Sequence, residues 1–66
     1  MGQESKRGQV ITRFNASVGD VVLFRGKRYE IDDISPVGVW LKADRKEAVR
    51  EFIYFYEADK FRVVFE

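Results

Sequence analysis

Residues 18–31, Val-Gly-Asp-Val-Val-Leu-Phe-Arg-Gly-Lys-Arg-Tyr-Glu-Ile, spell a β-hairpin with its turn built in. Two β-branched and aromatic runs flank Arg25-Gly26-Lys27, and Gly26 can take the positive φ that a tight turn demands. The lead-in Val18-Gly19-Asp20 reads as a turn before the first arm. In the second arm Tyr29 and Ile31 share a face but Ile34 falls out of phase, which predicts a bulge at Asp32-Asp33. A chain built on this hairpin is directed toward a small β domain.

Length sets the next limit. Sixty-six residues allow one domain, and at this size only ~60% of the surface of the unfolded chain can be buried. There is no cysteine, so no disulfide or thiolate site staples the fold. Packing of Phe14, Phe24, Phe52, Phe55, Phe61, Phe65 and the aliphatic residues is expected to supply the core. An unstapled domain fits a reducing cytoplasm, the expected location. No basic stretch precedes an apolar signal core, and no apolar run approaches the ~20 residues of a membrane span, so no membrane association is expected.

The order of elements follows from the same reasoning. Residues 1–8 have no apolar residue after Met1 and read as a flexible N-terminal tail, with the domain spanning 9–66. Residues 10–14 support a short edge strand, broken by Asn15-Ala16-Ser17. Ser35-Pro36-Val37-Gly38 reverses the chain. A third strand follows, with Val39, Leu41 and Ala43 on an apolar face and Trp40, Lys42 and Asp44 on the other. Residues 44–58 admit two readings. Ala48, Val49, Phe52, Ile53 and Tyr56 fit helical spacing, whereas the run Phe52-Ile53-Tyr54-Phe55-Tyr56 has the composition of a strand. The strand is the preferred reading, with 46–50 as the hairpin loop or one short helical turn, one 3₁₀ turn at 57–60, and a last strand at 61–65 whose Phe61, Val63 and Phe65 share a face.

This order, together with Gly19-Asp20-Val21-Val22, Gly38-Val39-Trp40-Leu41 and Ala58-Asp59-Lys60-Phe61-Arg62-Val63, resembles the SH3-like small barrels of the KOW and Tudor type. The resemblance covers roughly residues 18–65, with Arg25-Gly26-Lys27 matching only half of the basic KOW stretch. It implies an all-β fold, a single SH3-like barrel of about five short antiparallel strands with a one-turn 3₁₀ helix before the last. It also implies a tendency to bind nucleic acid or protein tails, and an analogy with phage or mobile-element accessory proteins.

Chemistry narrows the function classes. The chain has no histidine and no cysteine, which removes the commonest general base, the thiol nucleophile and the nitrogen metal ligand. Ser5, Ser17 and Ser35 lack an imidazole to activate them, and Gly19, Gly26 and Gly38 are isolated turn glycines rather than a phosphate loop. Glu30, Asp32 and Asp33 lack calcium-loop spacing and read as a solvated acidic strand. Among SH3-like barrels, the plasmid-type dihydrofolate reductases are enzymes, but their Val-Gln-Ile-Tyr run has no counterpart here. No enzymatic activity, cofactor or metal is therefore expected.

Surfaces remain. Net charge is +1, from 12 basic and 11 acidic residues, so the distribution of charge carries more than its sum. Cations gather at Arg25, Lys27 and Arg28 and again at Lys42, Arg45, Lys46 and Arg50. That segregation fits either one basic face or a solvated rim. If Ile53 and Phe55 point inward, Phe52, Tyr54 and Tyr56 form an outward aromatic stripe that joins Trp40. The candidate partner-binding residues are Arg25, Lys27, Arg28, Trp40, Lys42, Arg45, Tyr54 and Tyr56. They suit a protein partner, with Trp, Tyr and Arg as anchors, or, as the alternative, nucleic acid stacked on aromatics with cations on its phosphates. A third reading has the stripe packed under residues 10–14. The last strand, with Val64 outward, is the expected edge for a homodimer unless residues 10–14 cover it.

Overall fold

In a computed structural model, residues 6–43 and 50–66 are described. The chain forms five strands and one helical turn: β1 (Val21–Phe24), β2 (Lys27–Ile34), β3 (Gly38–Ala43), β4 (Arg50–Tyr54), α1 (Phe55–Ala58) and β5 (Val64–Phe65). All pairings are antiparallel, and the strands lie side by side in the order β4-β3-β2-β1-β5. The fold is thus all-β and five-stranded, but the sheet is not closed: β4 and β5 end the order on opposite sides.

The first hairpin forms as its residues dictate. Arg25 and Gly26 fill a two-residue loop, both with positive φ (56° and 76°), the backbone of a type I′ turn. Upstream, Asp20 N–H donates to the Ser17 carbonyl at 3.1 Å, closing a turn in which Gly19 sits at φ 98°. The expected bulge is present: Ile31 pairs with Leu41 and Asp33 with Trp40, leaving Asp32 as the extra residue. That one-residue shift returns Ile34 to the inner face, opposite Val39 and packed against the core.

One face of the sheet buries Val22, Phe24, Tyr29, Ile31, Val39, Leu41, Ile53 and Phe65, with Ile11, Ala58 and Val63 packed among them. Of the six phenylalanines expected in the core, only Phe24 and Phe65 are fully buried. Phe55 packs on the core edge, Phe52 is half-buried on the other face, and Phe14 is 85% exposed. The largest fully buried side chains are instead aliphatic: Ile11, Val22, Ile31, Val39, Leu41 and Val63.

Several segments differ from expectation. The aromatic run leaves the strand conformation after Tyr54, where Phe55 N–H donates to the Val37 carbonyl at 2.9 Å and the chain coils into α1. Coiling lets Ala58 reach the core, which a continuing strand would not allow. The turn before the last strand is therefore α-helical and earlier than the 3₁₀ turn read at 57–60. Its exit is a Schellman closure, with Val63 N–H on the Ala58 carbonyl (2.9 Å) and Arg62 N–H on the Asp59 carbonyl (3.3 Å) around Arg62 at φ 56°. This closure shortens the last strand to two residues and leaves Phe61 outside it. Residues 44–49, including the candidate site residue Arg45 and the hairpin loop or helix start read there, lie outside the described residues.

The N-terminal segment makes one bridge, Val10 to Val64, instead of a strand at 10–14. Thr12 N–H donates to Asn15 Oδ1 at 2.7 Å, folding the chain into a turn that carries Phe14 outward. Gly8 N–H on the Phe65 carbonyl (2.9 Å), Phe65 N–H on the Gln9 carbonyl (3.0 Å) and Ile11 N–H on the Val63 carbonyl (3.0 Å) line the free side of β5. Lys6 Nζ fastens this segment to Asp20 at 2.8 Å and to the Asn15 carbonyl at 2.9 Å. The edge at Val64 is thus occupied within the chain.

Candidate functional site

Alternation on β3 and β4 sets the first surface. Val39, Leu41 and Ile53 fill the core, so Trp40, Lys42, Arg50, Phe52 and Tyr54 project from the opposite face. Trp40 is directly opposite Phe52, and Gly38 opposite Tyr54. The rings form a continuous ladder: Trp40 to Phe52 at 5.1 Å, Phe52 to Tyr54 at 4.9 Å, Tyr54 to Tyr56 at 5.4 Å between centroids. The first two contacts are edge-to-face, the arrangement favoured by ring quadrupoles and contributing ~0.5–1.5 kcal/mol each beyond burial. Tyr56, carried by α1, is 76% exposed and ends the ladder in solvent, while Trp40 at the other end is 36% exposed.

Gly38 makes the ladder possible. A Cβ at this position would lie 2.8 Å from Phe52 Cζ and 2.9 Å from Tyr54 Cα, closer than carbon atoms approach. The turn before it is held by Ser35, whose Oγ accepts from Val37 N–H (3.3 Å) and Gly38 N–H (3.1 Å). Proline and glycine in this turn thus serve reversal and ring packing respectively.

Charge around the ladder is largely compensated. The Arg50 guanidinium lies 4.9 Å from the Trp40 ring centre and pairs with Asp32 at 2.9 Å, across the bulge. Glu30 lies opposite Lys42, and Asp33 opposite Trp40. Arg28 projects on this face too, but its guanidinium is drawn to Glu66 at 2.9 Å on the β5 side.

Arg25 and Lys27 lie elsewhere, at the hairpin end of β2. Lys27 is six steps along β2 from Asp33, roughly 20 Å of strand. There they meet a group of residues that the strand reading of 61–65 concealed. Phe61 packs edge-to-face on Phe24 at 6.3 Å, with the Arg25 guanidinium 5.0 Å from the Phe24 ring centre and Lys60 Nζ 5.8 Å from that of Phe61. The β1–β5 pairing, Val22 to Phe65 and Leu23 to Val64, ends before Arg62, which follows Phe61 in the turn at the exit of α1. Among the described residues none of Arg25, Lys27, Lys60 and Arg62 is in an ion pair. The nearby acids of the α1 segment, Glu57 and Asp59, are likewise in none.

The candidate residues therefore separate into two surfaces. Trp40, Lys42, Tyr54 and Tyr56 come together, joined by Arg50 and Phe52. Arg25 and Lys27 form a second surface with Lys60, Phe61 and Arg62, and Arg28 belongs to neither. Arg50 was recoverable by counting two residues back from Phe52, whereas the second surface depends on a left-handed residue at 62 that no residue type announces. Among the described residues no group of acidic side chains has the arrangement of a metal site, and no helix is long and apolar enough to cross a membrane. Comparison with protein-family models, curated proteins and solved structures finds no match to this chain.

Proposed function

We propose that the chain is a non-enzymatic binding module that engages a protein partner through the β3–β4 face, working in the cytoplasm as a small accessory or regulatory protein of the phage or mobile-element kind. The observation that carries this reading is the ladder Trp40-Phe52-Tyr54-Tyr56, four rings in mutual contact on a sheet face. Large rings already ordered by one another lose little entropy on binding and are the usual anchors of protein interfaces. The surrounding charge favours a protein over a polyanion, because Arg50 is neutralised by Asp32 and Lys42 faces Glu30. The meander order, with β5 beside β1 and a helical turn before β5, supports the likeness to SH3-like barrels at the level of strand order.

Trp40 is the sole tryptophan, so its fluorescence reports on this face directly. Affinity capture with the wild-type chain and with a folded Trp40→Ala variant is the test: loss of the captured protein in the variant supports the reading. Salt-sensitive nucleic-acid binding that disappears with Trp40→Ala would replace the protein with nucleic acid at this face.

A second reading, nucleic-acid binding, is favoured by a separate observation. Arg25 and Arg62 hold left-handed backbone, at a type I′ turn and a Schellman exit where glycine or asparagine is ordinarily preferred. Each costs on the order of 1 kcal/mol relative to glycine, and sites that break a local rule without local compensation are candidates for function. With Lys27, Lys60 and the half-open Phe61 ring they form a cationic, aromatic shoulder suited to phosphates and stacked bases. In a titration with single-stranded oligonucleotide, Arg25→Gly and Arg62→Gly should each flatten the logarithmic salt dependence by about one unit. Absence of binding at low salt sinks this second reading.

A further inference from the structure

The hydrogen-bond phase of β4 shows which of its backbone groups are unused. Phe55 N–H donates to the Val37 carbonyl, and these two residues continue the register of Gly38 with Tyr54. Bonded and non-bonded pairs alternate in an antiparallel ladder, so Val39 with Ile53 and Leu41 with Glu51 are the bonded pairs. The N–H and C=O groups of Arg50 and Phe52 and the N–H of Tyr54 then point away from β3, while the Tyr54 carbonyl, at the N-cap, accepts the first bond of α1. On the other side of β3, Ser35 N–H on the Gly38 carbonyl gives the same phase independently. Among the described residues nothing pairs with this side of β4, and it holds no proline, bulge or lysine to discourage pairing.

We propose that this edge pairs with β4 of a second copy of the chain, antiparallel, about a two-fold axis through Phe52. The proposal rests on the reading of the β3–β4 face as a protein contact and names its first occupant. The choice of axis follows from the residues. An axis through Glu51 would set two carboxylates face to face, and one through Arg50 two guanidiniums. An axis through Ile53 would require Tyr56, which has left the extended conformation, to face Arg50. With the axis at Phe52 all five residues of each β4 take part: Arg50 faces Tyr54 of the second copy, Glu51 faces Ile53, and no like charges are opposed. Both outward groups of Phe52, the Arg50 carbonyl and the Tyr54 N–H are then bonded across the axis. The two ladders also become one, with the Phe52 rings meeting at the axis and a Trp40 ring beyond each. A single self-complementary edge suffices for such a closed dimer.

Light scattering on the full chain at tens of micromolar is the first test, with a dimer expected; a strict monomer overturns the proposal. Phe52→Lys, which brings two ammonium groups to the axis, should yield a monomer, and a folded Phe52→Lys variant that remains a dimer overturns it. Should this variant fail to fold, cysteine cross-linking decides, because the native chain contains no cysteine. A bonded antiparallel pair places its Cα atoms about 5.5 Å apart, inside the ~4.4–6.8 Å range of disulfides. Phe52→Cys should oxidise to a covalent dimer, while Val64→Cys, on the edge lined by residues 8–11, should not. Equal cross-linking at both positions, or none at 52, overturns the proposal. A monomer whose captured partner is still lost on Trp40→Ala would defeat the self-pairing and leave the wider reading of the face intact.

Discussion

At the β5 end of the sheet, the backbone groups of Val63 and Phe65 are met by Gly8, Gln9 and Ile11, and the covering segment is fastened by Lys6 to Asp20. At the β4 end, the outward groups of Arg50 and Phe52 meet no backbone partner among the described residues, and a ladder of aromatic rings runs beside them. Both ends face the cost of unpaired edge groups, which in water is small but which invites association. The chain closes one end with its own N-terminal segment, using Ile11 as an apolar plug. The other end is left to the outside. The difference is one of burial: the sealed edge contributes buried area through Ile11, and the open edge presents rings that stay partly exposed.

The largest test of that division is Ile11→Ala. Ile11 is fully buried, and truncating such a side chain costs ~2–5 kcal/mol, against a total of about 3–10 kcal/mol expected for a chain of this size. Urea unfolding should show the variant near or beyond the limit of stability; a loss under 1 kcal/mol would mean that the covering segment is dispensable and the two edges are alike.

Gly38→Ala comes next and acts on the open side. The added methyl meets backbone at Ile53 and Tyr54 as well as the Phe52 ring, and such overpacking costs ~1–3 kcal/mol. Amide exchange should quicken in β3 and β4 more than in β1 and β5. Uniform quickening would show that the two ends open together.

Smaller still is Arg62→Gly, beside the sealed edge. Relief of the left-handed backbone should raise stability by up to about 1 kcal/mol, visible as a higher urea midpoint. A lower midpoint would mean that the Arg62 side chain holds the shoulder together.

Smallest is Lys6→Ala. The ion pair with Asp20 is partly exposed, and pairs of this kind contribute ~0.2–1 kcal/mol. The difference from wild type should shrink in concentrated salt; a salt-independent loss would point instead to the hydrogen bond with the Asn15 carbonyl as the fastening.

Much of the sheet was readable in advance because it depends on neighbours in sequence. Gly26 marks the hairpin turn, the phase error at Ile34 marks the bulge, and alternation along residues 39–43 puts Trp40 outside. The joining of Trp40, Phe52 and Tyr54 on one side followed from the same alternation once the run at 52–54 was read as a strand, whereas Tyr56 reaches the ladder from α1. What local pattern misjudged was the route of the chain after Tyr54. Phe55 and Phe61 have strand-like identities, yet they meet Val37 and Phe24, far away in sequence, while Phe14 is carried outward by the local Thr12–Asn15 turn.

By itself, then, the sequence determined an all-β domain, the inner and outer faces of β2 and β3, and the lack of histidine and cysteine chemistry. These follow from residue type and period-two alternation, which need no knowledge of the rest of the molecule. Only the tertiary structure decided that the sheet stays open, that residues 8–11 take the β5 edge, and that Arg28 is drawn to Glu66 while Arg25 lies over Phe24, which packs on Phe61. Those outcomes depend on which distant groups compete for the same space and the same hydrogen bonds. A small core settles that competition collectively, since its few buried positions went to Ile11, Ala58 and Val63 and the surplus rings were left on the surface.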